Sequence, residues 1–463
     1  MISFRNDYSE GAHPAILAAL QATNLESTPG YGRDHYCEAA AEAVRARFAC
    51  PQADVHFMLG GTLTNLTLIA AALRPWEAVI AADTAHICVH ESASIEATGH
   101  KICAAPPTDD GKLTPEHIRQ IVEAHKGGDD GHMVVPRMVY LSDATELGTI
   151  YTRAELAAIS ETCRELGLYL YLDGARMGAA LVCAANDLQP EDFAKYCDAF
   201  YIGGTKNGLL FGETLVLVND ALKPHFRNAL KQRGGMLAKG RLLGVQFQAF
   251  FENDLWLELA RHADRTARQL ERAFEKKGYG FYAAPCTNQL FPILPDRKIE
   301  ELRSGFDFEL NAKTCETHTA VRFVTSWATT LEAIEALEEG YAGTAFKENE
   351  LAQYYREAED YLSRCSEGKP LKVRQSSPQN AQQGKAAART KPRNPRTVRS
   401  TKSTAGRQNT SARSRSTGTK QSRGTASRSK KQQTGGESRG ALGIILAALV
   451  LGLIARAISM GLV

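Results

Sequence analysis

Two short segments carry residue types that can do chemistry together. Tyr171–Arg176 reads YLDGAR, an apolar run ending in an acid, a glycine and a cation. Tyr201–Gly208 reads YIGGTKNG, a second apolar run with a lysine just past it. An acid at one strand end and a lysine beyond another, among small and polar residues, meet the needs of pyridoxal 5'-phosphate chemistry. The lysine forms an imine with the aldehyde. The ionised carboxylate keeps the pyridine nitrogen protonated, which makes the ring an electron sink for a carbanion at the substrate α-carbon. Either residue alone is common at strand ends of α/β proteins, so the weight rests on the pair.

A phosphate needs backbone donors. Gly60–Asn65 (GGTLTN) lies between the apolar run Val55–Leu59 and the helical stretch Leu66–Leu73, where N–H groups at a helix start can hold an anion. No G-x-G-x-x-G or G-x-x-x-x-G-K-[ST] pattern is present, which counts against dinucleotide and P-loop nucleotide sites. His86 follows the strand-like Ala78–Ala82, with His90 and Glu91 close behind. A histidine at a strand end can stack on a flat cofactor and exchange protons near neutral pH.

The elements that must position these residues are legible as alternation. From Asp83 to Val218, short runs such as Met138–Ser142, Leu168–Leu172 and Ala199–Gly203 alternate with amphipathic stretches, which predicts βαβ units on a parallel sheet. Leu156, Ile159, Cys163 and Leu166 fall at helical spacing from Thr152 onward, and Gly167 marks the stop. Leu255, Leu259, Ala263, Ala267, Leu270 and Phe274 predict a long helix over 253–277 leading into a smaller domain.

Charge divides the chain. Of its 463 residues, 20 of the 55 basic but only 2 of the 52 acidic ones follow Arg364, so the net +3 conceals a body near −15 and a tail near +18. The body is long enough for two domains. The 10 cysteines show no C-x-x-C or Cys/His spacing, so neither a disulfide scaffold nor a metal site is expected, and a reducing cytosol fits. The polar opening MISFRNDYSE gives no support to secretory export. The expected organisation is an N-terminal arm and large cofactor-binding domain over 1–250, a small C-terminal domain over 251–364, a disordered basic linker over 365–440 and an apolar tail over 441–463. The tail is apolar except for Arg456, against roughly 20 residues needed to span a bilayer. Membrane association on the cytoplasmic face is the favoured reading of the tail; a solvated extension and nonspecific nucleic-acid binding are the others. The tail has no aromatic residue to stack on bases, which disfavours nucleic acid.

Taken in order, Arg5–Pro14 (RNDYSEGAHP), Gly30–Asp34 (GYGRD), Gly60–Asn65, Asp83–His86 (DTAH), Asp173–Arg176, Gly203–Asn207 (GGTKN) and Val321–Thr325 (VRFVT) resemble the low-specificity threonine aldolases. These belong to the β-eliminating lyase/threonine aldolase group of fold-type I pyridoxal phosphate enzymes, and the resemblance covers roughly residues 3 to 345. It implies an α/β fold with a mostly parallel sheet, flanking helices and a smaller C-terminal α/β domain. By the same resemblance Lys206 carries the cofactor, Asp173 pairs with the pyridine nitrogen and His86 stacks on the ring. Gly61 and Thr62 bind the phosphate with help from a neighbouring subunit. Arg176 and Arg322 lie near the cofactor and the substrate carboxylate, an anion that an arginine fork suits. Asn6 stands where relatives often have Ser before Asp, and Tyr31 matches a tyrosine often contributed across a dimer interface.

The implied reaction is retro-aldol cleavage of L-threonine or L-allo-threonine to glycine and an aldehyde, with His86 as base, directly or through a water. A homodimer or homotetramer is implied as well. One segment departs from the pattern: Ser142–Gly148 (SDATELG) replaces a Glu-Asn-Thr-His-like stretch of some relatives, so a histidine sometimes credited with a substrate role is missing. Two alternatives stay open: a β-eliminating lyase of the same fold, and a non-catalytic scaffold tethered by its tail.

Overall fold

The computed structural model describes residues 1–126 and 131–339. All of them belong to one compact unit, Met1–Gln375. The linker and tail predicted over 365–463 lie outside the described residues. Among the described residues no helix is long and apolar enough to cross a membrane.

Seven strands make the main sheet. In chain order they are β1 (Asp54–Met58), β2 (Glu77–Ala81), β3 (Ile102–Ala104), β4 (Val135–Ser142), β5 (Tyr169–Asp173), β6 (Ala199–Gly203) and β7 (Glu213–Leu217). Their spatial order is β1-β7-β6-β5-β4-β2-β3. The pairs from β6 across to β3 are parallel, whereas β7 runs against both β6 and β1. The sheet is mostly parallel, as expected, and β7 makes it a mixed one. The cause is local: residues 204–212 are too few for a crossover helix, so the chain can only return antiparallel. Every residue of β6 and β7 is buried, which is why both read as unbroken apolar runs and not as alternating ones.

The helices show how the sequence sets boundaries. The helix Arg153–Leu166 starts in a capping box formed by Thr152 and Glu155 and ends at Gly167, whose φ of 66° suits a residue without a Cβ. The long helix Leu255–Lys276 buries Leu259, Ala263, Ala267, Leu270 and Phe274 along one stripe. Gly61–Ala72, α1 below, begins well ahead of the expected Leu66. Gly and Thr are weak helix formers, so the first turn was hidden in what looked like a loop.

A second, antiparallel sheet follows: β8 (Gln289–Leu290), β9 (Ile293–Pro295), β10 (Glu309–Cys315) and β11 (His318–Val324), with β11 in its middle. It packs with the long helix around Leu270, Phe274, Leu290, Val321 and Phe323, and Phe4 of the N-terminal arm joins that core. The arm is thereby fixed, since Phe4 is fully buried and its carbonyl accepts from the Val324 N–H.

Candidate active site

The two chemistry-bearing segments are joined by their glycines. The Gly203 N–H donates to the Gly174 carbonyl at 2.9 Å. A Cβ on Gly174 would stand 2.1 Å from the Tyr201 carbonyl oxygen, and one on Gly203 would stand 2.1 Å from that of Ala175. Only glycine at both positions lets the turn carrying Asp173 and Arg176 lie against the turn carrying Lys206.

Asp173 ends β5 and is 4% exposed. Its Oδ1 accepts from the Ala175 N–H at 3.0 Å, and its Oδ2 accepts from Asn65 Nδ2 at 3.1 Å and from the Tyr140 hydroxyl. Asn65 donates also to Glu91 Oε1 at 2.7 Å and accepts from the Tyr171 hydroxyl at 2.8 Å. That set fixes the amide orientation, because carboxylates can only accept. Glu91 Oε1 in turn lies 2.8 Å from His86 Nδ1, and the Glu91 side chain is fully buried. The backbone N–H of His86 donates to Glu146 Oε1 at 2.7 Å, which also accepts from Ser142 Oγ at 2.7 Å. Ser142 Oγ lies 3.4 Å from the Tyr140 oxygen, closing a ring that runs through His86, Glu91, Asn65, Asp173, Tyr140, Ser142 and Glu146. A carboxylate on Nδ1 keeps the proton there and leaves His86 Nε2 with its lone pair free.

Lys206 Nζ has no ion pair or hydrogen bond among the described residues. Burial and the Arg176 charge lower the Lys206 amine below its usual range, against Asp7, Asp173 and Glu213. Glu213, at the start of β7, is pushed up to about 7 by burial, although the Thr205 hydroxyl, the Gly204 N–H and Lys206 favour its charged form. The first turn of α1 has no side-chain cap, so no capping side chain claims the N–H groups of Gly61, Thr62 and Leu63. A Cβ on Gly61 would stand 3.0 Å from the Tyr201 hydroxyl.

Both arginines already hold carboxylates of the chain. Arg176 grips Asp7 with Nε at 2.7 Å and Nη2 at 3.0 Å. Burial alone would raise the Asp7 carboxyl, yet the Arg176 and Lys206 charges keep it below the ordinary range. Arg322 of β11 pairs with Glu309, its cross-strand partner on β10. Asn6 is turned on its own loop, with Oδ1 accepting from the Tyr8 N–H at 3.0 Å and from Ser9 Oγ at 2.8 Å. Tyr31 is exposed and lines a different cavity of about 410 Å³ with Arg33, Asp34, His56, Arg227 and Gly240. Lys206, Asp173 and His86 are absent from that lining.

Sequence reading assigned no role to Asp7, Asn65, Glu91, Glu146 or Glu213. Asn65, Glu91 and Glu146 sit within or beside quoted motifs, but only the fold shows that they share one ring. Asp7 directly follows Asn6, a signal that was available. Glu213 carried none, since it lies in an apolar strand. Among the described residues no cluster of His, Cys, Asp or Glu is arranged to hold a metal ion.

The donor set fits pyridoxal phosphate: an unpaired amine, a buried carboxylate at the end of a neighbouring strand, and an uncapped helix start where a Cβ on Gly61 would crowd Tyr201. The profile of the beta-eliminating lyase family matches residues 4–295. The chain belongs to this family. It is a pyridoxal phosphate-dependent lyase of the threonine aldolase group. It is 35% identical to the low specificity L-threonine aldolase of Pseudomonas aeruginosa, over 72% of this chain and 95% of that protein. A low specificity L-threonine aldolase of Saccharomyces cerevisiae is 27% identical over 63% of this chain and 74% of its own length. Among solved structures, the threonine aldolase of Leishmania major superposes with a TM-score of 0.71 at 44% identity, covering 73% of this chain and 98% of that one. An aspartate aminotransferase of Thermus thermophilus, at 14% identity and a TM-score of 0.56 over 74% of this chain and 91% of its own, shares the fold.

Proposed function

We propose that the protein cleaves L-threonine and L-allo-threonine to glycine and acetaldehyde, and related β-hydroxy-α-amino acids to glycine and another aldehyde. The observation that carries this reading is the meeting, at one edge of the sheet, of an unpaired lysine, a buried aspartate and a histidine oriented by Glu91. When bound, pyridoxal phosphate supplies the electron sink for the pair left at the substrate α-carbon. Lys206 holds it by its aldehyde, and its lowered amine is the better nucleophile for that purpose. Asp173 would pair with the ring nitrogen, and the Gly61 and Thr62 N–H groups would take the phosphate at the positive end of α1.

His86 would cover the ring, and its Nε2 would remove the proton of the β-hydroxyl while Glu91 steadies the imidazolium that results. Arg176 and Arg322 hold the substrate carboxylate, with Asn6 beside them. Arg176 reaches it already aligned by Asp7, so little orientational freedom is lost on binding. Tyr31 completes the site of a second copy in a homodimer or homotetramer. We place the catalytic body in the cytoplasm, held at the cytoplasmic face of a membrane by residues 441–463; cell fractionation of the full chain against a chain ending at 440 tests this.

The family name keeps one other reaction in view, β-elimination from a different amino acid. Both are settled by one experiment on the full-length holoenzyme: absorbance of the bound cofactor with L-threonine and L-allo-threonine, and product analysis in parallel. Glycine with acetaldehyde supports the proposal. Ammonia with a keto acid replaces it with elimination, and a cofactor band without either product removes both.

A further inference from the structure

We propose that Cys183 and Cys286 form a redox-sensitive modification site: a hydroperoxide closes the two thiols into a disulfide, which weakens amino-acid binding at Arg176, and a dithiol reopens it. The effect on binding rests on the reading above, in which Arg176 holds the substrate carboxylate. Both cysteines are free thiols in this structure. They stand 103 residues apart in the chain, so no C-x-x-C spacing announces them.

Placement comes first. Cys183 directly follows the helix Met177–Val182, and Cys286 lies in the loop ahead of β8. Their sulfurs are 3.1 Å apart, against about 2.05 Å in a disulfide, so the bond needs an approach of about 1 Å. The pair packs with Ala144, Ile150 and Ala180. Cys183 is 4% exposed and Cys286 is half-buried, so a small oxidant arrives from the Cys286 side. Both ends of the new bond lead to one ion pair. The helix Met177–Val182 starts at Arg176, and Asn288, two residues beyond Cys286, donates from Nδ2 to Asp7 Oδ2 at 3.0 Å. Asp7 in turn accepts from Arg176 Nε at 2.7 Å. Between Cys286 and Asn288 the chain is pinned: Thr287 Oγ1 donates to the Gly148 carbonyl at 2.9 Å, and the Thr287 carbonyl accepts from Arg268 Nη2 at 2.7 Å. A pull on Cys286 is therefore passed along a stiff segment to Asn288 and is not taken up by slack.

The two sulfurs are unequal. The Cys286 S–H and the N–H groups of Ala185 and Asn186 bring the Cys183 thiol down to about 7, against burial and Asp264. The shared hydrogen bond, burial and the Cys183 charge raise Cys286, which therefore keeps its proton; Arg268 opposes that rise and Asp143 adds to it. Cys183 is thus the thiolate that attacks. Its sulfur takes the terminal oxygen of the hydroperoxide, the O–O bond breaks, and the leaving oxygen gains a proton as water or an alcohol. Cys286 then attacks the sulfenic sulfur and gives its proton to the departing hydroxide, which leaves one S–S bond and one water. Each sulfur loses one electron, and the peroxide gains both. A dithiol reverses the change by exchange and is itself oxidised to a disulfide.

The test exposes the full-length holoenzyme and its Cys183→Ser and Cys286→Ser variants to hydrogen peroxide and then to dithiothreitol. Cross-linking is read by mass spectrometry of peptides, and affinity for L-allo-threonine from the absorbance of the bound cofactor, so the readout needs no particular product. Wild type is expected to give a peptide pair joined through Cys183 and Cys286. Its affinity should fall about fivefold, since a misplacement of about 1 Å can cost more than that, and dithiothreitol should undo both changes. Either serine variant is expected to match the reduced wild type before and after peroxide; Cys286→Ser, at the half-buried position, serves alone if Cys183→Ser folds poorly. The proposal is overturned if peroxide leaves the two cysteines unjoined, or if they join with affinity changed by less than about 1.5-fold. The same loss of affinity in Cys286→Ser would also overturn it, by placing the sensitive group elsewhere, as at the exposed Cys315. A wild-type holoenzyme that joins the pair and loses affinity but releases no aldehyde would remove the retro-aldol reading and leave this one standing.

Discussion

The ring around Asp173 and the cavity beside Tyr31 are built on opposite principles. In the ring, three carboxylates from distant parts of the chain are each held by donors, and none of its side-chain oxygens or nitrogens is buried without a partner. Around the cavity, Asp34 Oδ2 and His56 Nε2 are buried without one, and Tyr31 sits at a φ of 61° with its ring exposed. One chain suffices for the first. In the second, the exposed Tyr31 ring, and not those sealed atoms, is what a further copy of the chain could touch in the oligomer proposed above. Chemistry that depends on proton positions is placed where every hydrogen bond is already made, because a half-satisfied network would let protons settle on the wrong carboxylate.

The hardest blow falls beside the ring, at the lysine that makes no hydrogen bond among the described residues. Lys206→Ala is expected to abolish the cofactor absorbance band shifted by lysine attachment and to lower aldehyde release by about 10³-fold or more, since no other described amine stands at the Gly203–Asn207 turn. The measurement is a spectrum and a product assay on the same preparation. Turnover within about tenfold of wild type would show that Lys206 is not the attachment point.

Asn65→Leu tests the ring itself. It removes the amide that donates to both Glu91 and Asp173 while keeping the number and branching of the side-chain heavy atoms. Two buried carboxylates then face each other without that donor, which should destabilise the fold by about 3 kcal/mol and weaken cofactor binding. Chemical denaturation of the cofactor-free protein reads the first effect alone. A loss under about 1 kcal/mol would mean that the ring is looser than its distances imply.

The two regions also differ in how far the sequence revealed them. Lys206, Asp173 and His86 were legible because each follows an apolar run at the edge of a sheet whose alternation shows from Asp83 to Val218. The parts that decide their behaviour were not. Glu213 lies inside a wholly buried strand, so its nearness to Lys206 follows from β7 turning back antiparallel, a consequence of a short connection that periodicity does not encode. Asn65 falls just ahead of the expected helix start at Leu66, because Gly61 and Thr62 mask the first turn of α1. Arg176 and Arg322 are expected beside the substrate carboxylate, but the acid paired with each, Asp7 or Glu309, is brought to it only by tertiary structure. Tyr31 could be matched to a motif, but its distance from the other named residues within one chain could not be seen.

On the cavity side the sharper probe is pH. Burial pushes the His56 imidazole down to about 4, and Arg227 adds to the effect. In the unfolded chain the same group titrates near 6.5. Between those values the unfolded state takes up a proton that the folded state refuses, so folding stability falls as pH drops from about 6.5 to about 4, by on the order of 3 kcal/mol in total. His56→Gln, which cannot titrate, should flatten that part of the stability profile measured by urea unfolding at fixed protein concentration. A wild-type profile as flat as that of His56→Gln would mean that the imidazole takes up its proton in the folded chain and is not held neutral by burial.

The smallest effect is expected at Tyr31. A non-glycine residue in the left-handed region costs roughly 1–2 kcal/mol, and glycine there returns about 0.5–1 kcal/mol of that in lost chain entropy. Tyr31→Gly also gives up Lys231 Nζ lying 4.7 Å from the ring centroid, an exposed contact of modest worth, but it keeps the Tyr31 carbonyl that accepts from Arg227 at 2.9 Å. Stability should therefore change by less than about 1 kcal/mol, with a slight gain the central expectation, in thermal unfolding of the cofactor-free chain. A loss of several kcal/mol would show that the strained backbone is held by packing within the chain. A neutral result together with lowered turnover would mean that the strain is kept for what Tyr31 touches in a second copy, and would separate the two regions by purpose as well as by construction.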